Sequence, residues 1–244
     1  MEEIFQSLKQ RNWKTEFTDS GQENWQNKWS LDGERATVKN TPKGIVFSAG
    51  PVKYDDGSHA VLWTKDSFSG DIKIEFDFTR LDSINRDVNI LYIQASGTGE
   101  GPYAENIMEW SDLREVPYLK SYFETMNLLH VSYAAFKDSD DEPDDYVRAR
   151  RYPPQPGNNF WQTDISPDNF DTGLFLPGVT YHFTFIKTAE DLFFEAENAK
   201  IRKLFHWSLE NVKPVDYGWV GIRHMYLRCS RYANVEISTL NPNI

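Results

Sequence analysis

The sequence predicts an all-β fold, a sandwich or a barrel, on three observations. Short runs of alternating apolar and polar residues recur from about residue 17 to the C-terminus. Gly, Pro, Asn and Asp clusters punctuate them. Helical spacing is confined to two stretches, 1–15 and part of 97–126. The 244 residues fit one large all-β domain as well as two small ones. With no internal repeat, no low-complexity linker and no break in composition, one domain over 1–244 is the economical reading.

Residues 1–15 read as an N-terminal extension in which Ile4, Phe5 and Leu8 fall at helical spacing. Strands are expected at 36–40 and 42–50, separated by Thr41-Pro42, and at 59–65. Over 68–82 a turn leads into a long strand. Ile72, Ile74, Phe76 and Phe78 form one face there, and Lys73, Glu75 and Asp77 the other. In 87–97, Tyr92, Gln94 and Ser96 alternate with Leu91, Ile93 and Ala95. The rhythm then breaks. Residues 97–126 read as an irregular insertion with a short helix before Pro117, and insertions of this length are usually lids or binding loops. Strand patterns return at 126–136 and 145–152, then, after a loop-like stretch at 153–179, at 179–188, 191–198, 217–230 and 232–240.

The stretch 126–153 carries the strongest chemical signal. If its two strands pair as a hairpin, His130 and Ser132 share a face with Tyr146, Arg148 and Arg150. A histidine beside two arginines is an unusual outer face in a chain of formal net charge −11, and it suits an anionic ligand. The same net charge argues against nonspecific nucleic-acid binding, which needs Lys and Arg to neutralise phosphates. No run of 18 apolar residues is present, so nothing spans a membrane, and the N-terminus does not read as an intact signal peptide. The expected location is cytoplasmic if Met1 is native and periplasmic if a signal was removed. Cys229 is the single cysteine, so no internal disulfide forms. Aromatic residues make up 15% of the chain, which fits sugar binding and fits an aromatic sandwich core better.

Other constellations are weaker. Glu75 and Asp77 sit two apart on one strand face, as a glycosidase pair would, but Lys73 in the same row marks a solvated outer face. The run 138–145 has the oxygens for calcium without the spacing of a known loop, and reads better as a hairpin tip. His59 begins a strand near Trp63, and His224 follows Arg223 in a late strand, while His182 and His206 look structural. No metal-ligand spacing, phosphate loop or nucleophile elbow is present, and no cofactor is called for.

Several strings together are more specific than any of these motifs: residues 21–25 (GQENW), 59–78 (HAVLWTKDSFSGDIKIEFDF), 89–97 (NILYIQASG), 127–133 (NLLHVSY) and 221–238 (GIRHMYLRCSRYANVEIS). In these the chain resembles the YesU-like family over about residues 17–238. The resemblance implies a concanavalin A-like jelly-roll β-sandwich of two antiparallel sheets with a concave ligand cleft. It also implies an acidic oligosaccharide as partner, of the rhamnogalacturonan or ulvan type. A family-like enzyme of ulvan degradation is an oligosaccharide dehydratase. The positions that match are His59, Trp63, Asn127, His130 and Arg148; the acidic run 138–145 and the loop 97–126 depart from the family pattern.

The expected chemistry is β-elimination at a uronate, by water loss at the non-reducing end or by lyase cleavage. The C5 proton becomes acidic only when the carboxylate charge is offset, a task for arginine. Arg148 is the candidate for that role and His130 for the base, with Tyr146 or Tyr133 protonating the leaving oxygen. Trp63 would stack on a ring. His59, Tyr92, Gln94, Asn127, Arg150, Arg223 and His224 complete the expected substrate-binding set. A glycoside hydrolase and a non-catalytic sugar-binding protein are the alternatives.

Overall fold

The computed structural model describes residues 1–136 and 145–240. Helix α1 (Glu2–Lys9) leads into β1 (Lys14–Asp19), β2 (Trp29–Asp32), β3 (Thr37–Thr41) and β4 (Gly44–Ser48). Strands β5 (Ala60–Ser69), β6 (Ile72–Arg80) and β7 (Asp87–Gly97) follow. A 3₁₀ segment (Ile107–Arg114) and α2 (Leu119–Thr125) form the predicted insertion. Then come β8 (Met126–Phe136), β9 (Asp145–Tyr152), β10 (Asp164–Phe170) and β11 (Thr180–Lys187). The chain closes with β12 (Asp191–Glu197), β13 (Arg202–Ser208), β14 (Tyr217–His224) and β15 (Cys229–Thr239).

The strands form two antiparallel sheets. One has eight strands, in the order β13-β12-β11-β6-β15-β4-β3, with β1 added on β15. The other has seven, in the order β10-β9-β8-β7-β14-β5-β2. The fold is a jelly-roll sandwich. Period-2 alternation fills the space between the sheets: Ile72, Ile74, Phe76 and Phe78 of β6 are all buried, facing Leu129, Val131 and Tyr133 of β8. Aromatic rings make the contact, with Phe78 edge-on to Tyr133 at 5.2 Å and Phe185 stacked on Phe194 at 4.2 Å. Most of the aromatic residues of the sequence are therefore buried, between the sheets or under the segments that cover them.

Both outer faces are partly covered. Helix α1 lays Phe5 and Leu8 on Ile186 and Phe193 of the eight-stranded sheet. The insertion lays Ile107, Trp110 and Tyr122 on the outer face of the seven-stranded sheet, against Val61, Trp63 and Tyr92. Gly221 of β14 makes this close packing work. A Cβ there would stand 2.4 Å from ring carbons of Trp63, so only glycine lets the indole lie across the strand.

Candidate functional site

Strands β8 and β9 pair as the sequence predicts. His130 is the Cα partner of Arg150, and Ser132 the partner of Arg148. Their outward side chains join a wider grid. Partnered positions run Arg150–His130–Tyr92–Gly221–Trp63 in one row and Arg148–Ser132–Ile90–Arg223–Val61 in the next. The sheet thus brings together His130, Arg148, Arg150, Tyr92, Arg223 and Trp63 from the predicted set. His59, just before β5, reaches the same grid through Arg223. Tyr146 lies on this face too, half-buried, with the Arg148 guanidinium 5.0 Å from its ring centroid.

Other predicted residues go elsewhere. Tyr133 points between the sheets and hydrogen-bonds Tyr232 at 2.9 Å, so it cannot protonate a leaving group on the outer face. His224 is also in the core, 2.7 Å from the Tyr232 hydroxyl and stacked on Phe47. Its inward direction follows from Arg223 pointing outward. Gln94 sits in a β-bulge with φ +53°, and its amide donates to the carbonyls of Phe68 and Gly70. The bulge breaks the alternation on which its outward placement rested. Asn127 shares the parity of Leu129 and Val131, and its contacts are Gly97 and Arg151 at the sheet end. Trp63 is on the right face but fully buried, with Nε1 donating to Asp32, so it offers no open ring to a sugar.

Arg148, the expected carboxylate ligand, already holds Asp168 with two hydrogen bonds, and Arg150 pairs with Asp164 at 2.7 Å. Arg223 is different. It is fully buried, and its Nη2 donates to Pro117 O at 2.8 Å and to His59 Nδ1 at 3.0 Å. Among the described residues its Nε and Nη1 find no acceptor, and no carboxylate pairs with it. The His59 Nε2 and the Tyr92 hydroxyl lack a partner of good hydrogen-bond geometry, although the Arg223 guanidinium is close enough to the Tyr92 hydroxyl, and the Pro117 carbonyl to the His59 ring, to influence each. Buried polar groups are nearly always satisfied, and each orphan costs about 1–3 kcal/mol. Four such atoms thus belong to Arg223 and to the His59 and Tyr92 side chains beside it.

The electrostatics agree. Burial, reinforced by Arg223, lowers His59 to a pKa of about 3, so the ring is neutral at neutral pH. It accepts from Arg223 through Nδ1, which places its proton on the orphaned Nε2. Burial and the charges of Arg150, Arg223 and Arg148 hold His130 well below the usual histidine range. Its ring bridges Tyr152, 2.8 Å from Nδ1, and Ser132, 2.6 Å from Nε2. Burial pushes Tyr92 up to about 12 despite the nearby Arg223, so it carries its proton.

The insertion forms the cover. Asp32 accepts from Trp63 Nε1, Arg114 Nε at 2.7 Å and Tyr122 Oη at 2.9 Å. The Arg223 guanidinium lies 4.6 Å from the Tyr122 ring centroid. None of Asp32, Arg114, Tyr122, Pro117 and Tyr152 was singled out from the sequence. These contacts are long-range and leave no local pattern.

Glu75 and Asp77 lie on the outer face of the opposite sheet. Lys73 and His182 pair with them, as a solvated outer face would have it, and they are not a cleft pair. The candidate calcium run falls outside the described residues except for Asp145. That side chain accepts from Thr172 and Leu174 and ties down the loop before β11. Among the described residues no group of three His, Cys, Asp or Glu is placed to hold a metal ion, and no helix is long and apolar enough to cross a membrane.

Two stacked antiparallel sheets in this order make a concanavalin A-like, galectin-like fold, and solved structures agree. A protein of unknown function with a galectin-like fold from Bacillus subtilis superimposes with a TM-score of 0.69 at 17% identity, covering 93% of this chain and 98% of its own. The exoplasmic/lumenal domain of VIP36, bound to calcium and Man3GlcNAc, gives 0.59 at 10% identity over 95% of this chain and 92% of its own. Basic winged bean lectin with Tn-antigen gives 0.58 at 11% identity over 94% and 100%. No protein-family model matches the chain, and no curated protein matches its sequence.

Proposed function

We propose that the outer face of the seven-stranded sheet binds an acidic oligosaccharide and that Arg223 receives the carboxylate of a uronate. The observation that carries this is the fully buried Arg223 guanidinium, which has no carboxylate partner among the described residues and lies beside His59 and Tyr92. A carboxylate is the acceptor such donors suit best, because charge-assisted hydrogen bonds are the strong ones. The fold supports a sugar as the rest of the ligand, since VIP36 and the winged bean lectin were solved with saccharides on it.

The reaction we propose is β-elimination, as the resemblance to the YesU-like family implies. Arg223, rather than Arg148, offsets the carboxylate charge and acidifies the C5 proton. His130 is neutral and in the form that accepts a proton. Tyr92, protonated, would give one to the leaving oxygen at C4. Mass spectrometry of uronate-ended ulvan and pectin oligosaccharides after incubation tests this. Loss of one water at unchanged chain length marks a dehydratase, and shorter unsaturated products mark a lyase. Unaltered oligosaccharides that still bind leave a lectin. One observation favours that second reading: both His130 ring nitrogens are already engaged, by Tyr152 and Ser132.

A further inference from the structure

A cavity of about 220 Å³ lies between the sheets at the end of the sandwich. Its walls include Leu129, Leu209, Val212 and Val215, with Lys187 among them. Leu129 points into the core, so this cavity is on the opposite side of β8 from His130. Lys187 shares the inward parity of Phe183 and Phe185 on β11 and is only 3% exposed. Its Nζ has one long hydrogen bond, 3.3 Å to the Gly70 carbonyl. Among the described residues no carboxylate pairs with it.

A buried ammonium without a counter-ion is costly. Burial lowers the pKa of Lys187, against the more distant pull of Asp71 and Asp216. A desolvated amine in an apolar pocket is the form that attacks carbonyl carbon. The lining also indicates ligand charge. Two acids, Asp71 and the exposed Asp216, and two lysines, Lys187 and the exposed Lys213, line the same cavity, so it favours neither sign of charge, while the apolar walls favour a short hydrocarbon body.

We propose that this cavity is a second binding site, for a small neutral aldehyde or ketone, and that Lys187 condenses with its carbonyl group. The Nζ lone pair attacks the carbonyl carbon. The carbonyl oxygen leaves as water with the two amine protons, and a C=N bond forms. No oxidant or reductant is consumed. To test this, the full chain is incubated with pentanal at neutral pH, and borohydride is added. Borohydride delivers hydride to the imine carbon, and solvent supplies the proton on nitrogen, which fixes a secondary amine. Peptide mass mapping then compares Lys187 with the exposed Lys120 and Lys200. Lys187 is expected to label several-fold faster than either. The Val212→Phe variant, which fills the cavity and leaves the amine in place, is expected to lose that preference while keeping its circular dichroism. Labelling of Lys187 no faster than the exposed lysines overturns the proposal. So does a folded Val212→Phe protein that labels Lys187 as fast as the parent.

Discussion

Arg223 Nη2 lies 3.0 Å from His59 Nδ1, a contact that joins β14 to the start of β5 across 164 residues of sequence. It places the proton of His59 on Nε2, because the guanidinium can only donate to Nδ1. Arg223→Gln keeps the bulk and removes the charge. Charged hydrogen bonds contribute about 1.5–3 kcal/mol, so the affinity for a uronate-ended oligosaccharide is expected to fall roughly 10–150-fold. Calorimetric titration of the folded variant measures it. Unchanged affinity would remove Arg223 from the site.

The cover over this site hangs on Asp32, which holds Trp63, Arg114 and Tyr122 at once. Asp32→Ala strands the Arg114 charge in a buried position, and breaking such a pair by removing one partner costs about 3–5 kcal/mol. The loss is expected to concentrate in residues 107–125. Amide hydrogen exchange should show these opening while β6 and β11 stay protected. Uniform loss of protection would mean that the cover is no separate unit.

Gly221→Ala places a methyl group 2.4 Å from the Trp63 ring. Overpacking in a filled layer costs about 1–3 kcal/mol. Chemical denaturation should show a lower midpoint with an unchanged slope. A midpoint equal to the parent's would show that the indole can move aside.

The histidines predict an acid limb. Burial keeps His59 and His224 at about 3 and His130 well below its ordinary value, whereas each returns to about 6.5 in the unfolded chain. The unfolded state therefore binds more protons below pH 6.5, and stability falls as pH drops from there toward 3. His182 runs the other way. Glu75 and Asp77 raise it to about 9, so its contribution is complete below 6.5 and is lost as pH rises through 9. It is 41% exposed, so solvent and salt weaken the effect. Thermal midpoints between pH 4 and 10 check both limbs, and His182→Gln should flatten the alkaline one, with a smaller change on the acid side because His182 also helps to lower Glu75.

The sandwich was legible because alternation is local. The four apolar residues of β6 face inward as their spacing implies, and the β8–β9 hairpin pairs His130 with Arg150 as its pattern implies. The site was legible only as far as alternation holds. The bulge at Gln94, whose φ is +53°, re-aims a side chain with no sequence mark. On β14 the choice between Arg223 and His224 depends on which one the opposite sheet receives. Ion pairs were hidden too. Asp164 and Asp168 engage Arg150 and Arg148 from β10, a strand the sequence reads as loop. Arg223, on β14 beyond β7 in the same row as Arg148, has no carboxylate partner among the described residues and is left as an open cation.

Recognition of a uronate by the Arg223 guanidinium is the step on which the proposed function rests. The most direct measurement is calorimetric binding of one oligosaccharide in two forms, with its terminal uronate intact and with that carboxylate reduced to the alcohol, to the parent chain and to Arg223→Gln. The account predicts tight binding of the acid by the parent, weak binding of the alcohol, and little difference between the two for the variant. Equal binding of acid and alcohol by the parent would contradict it.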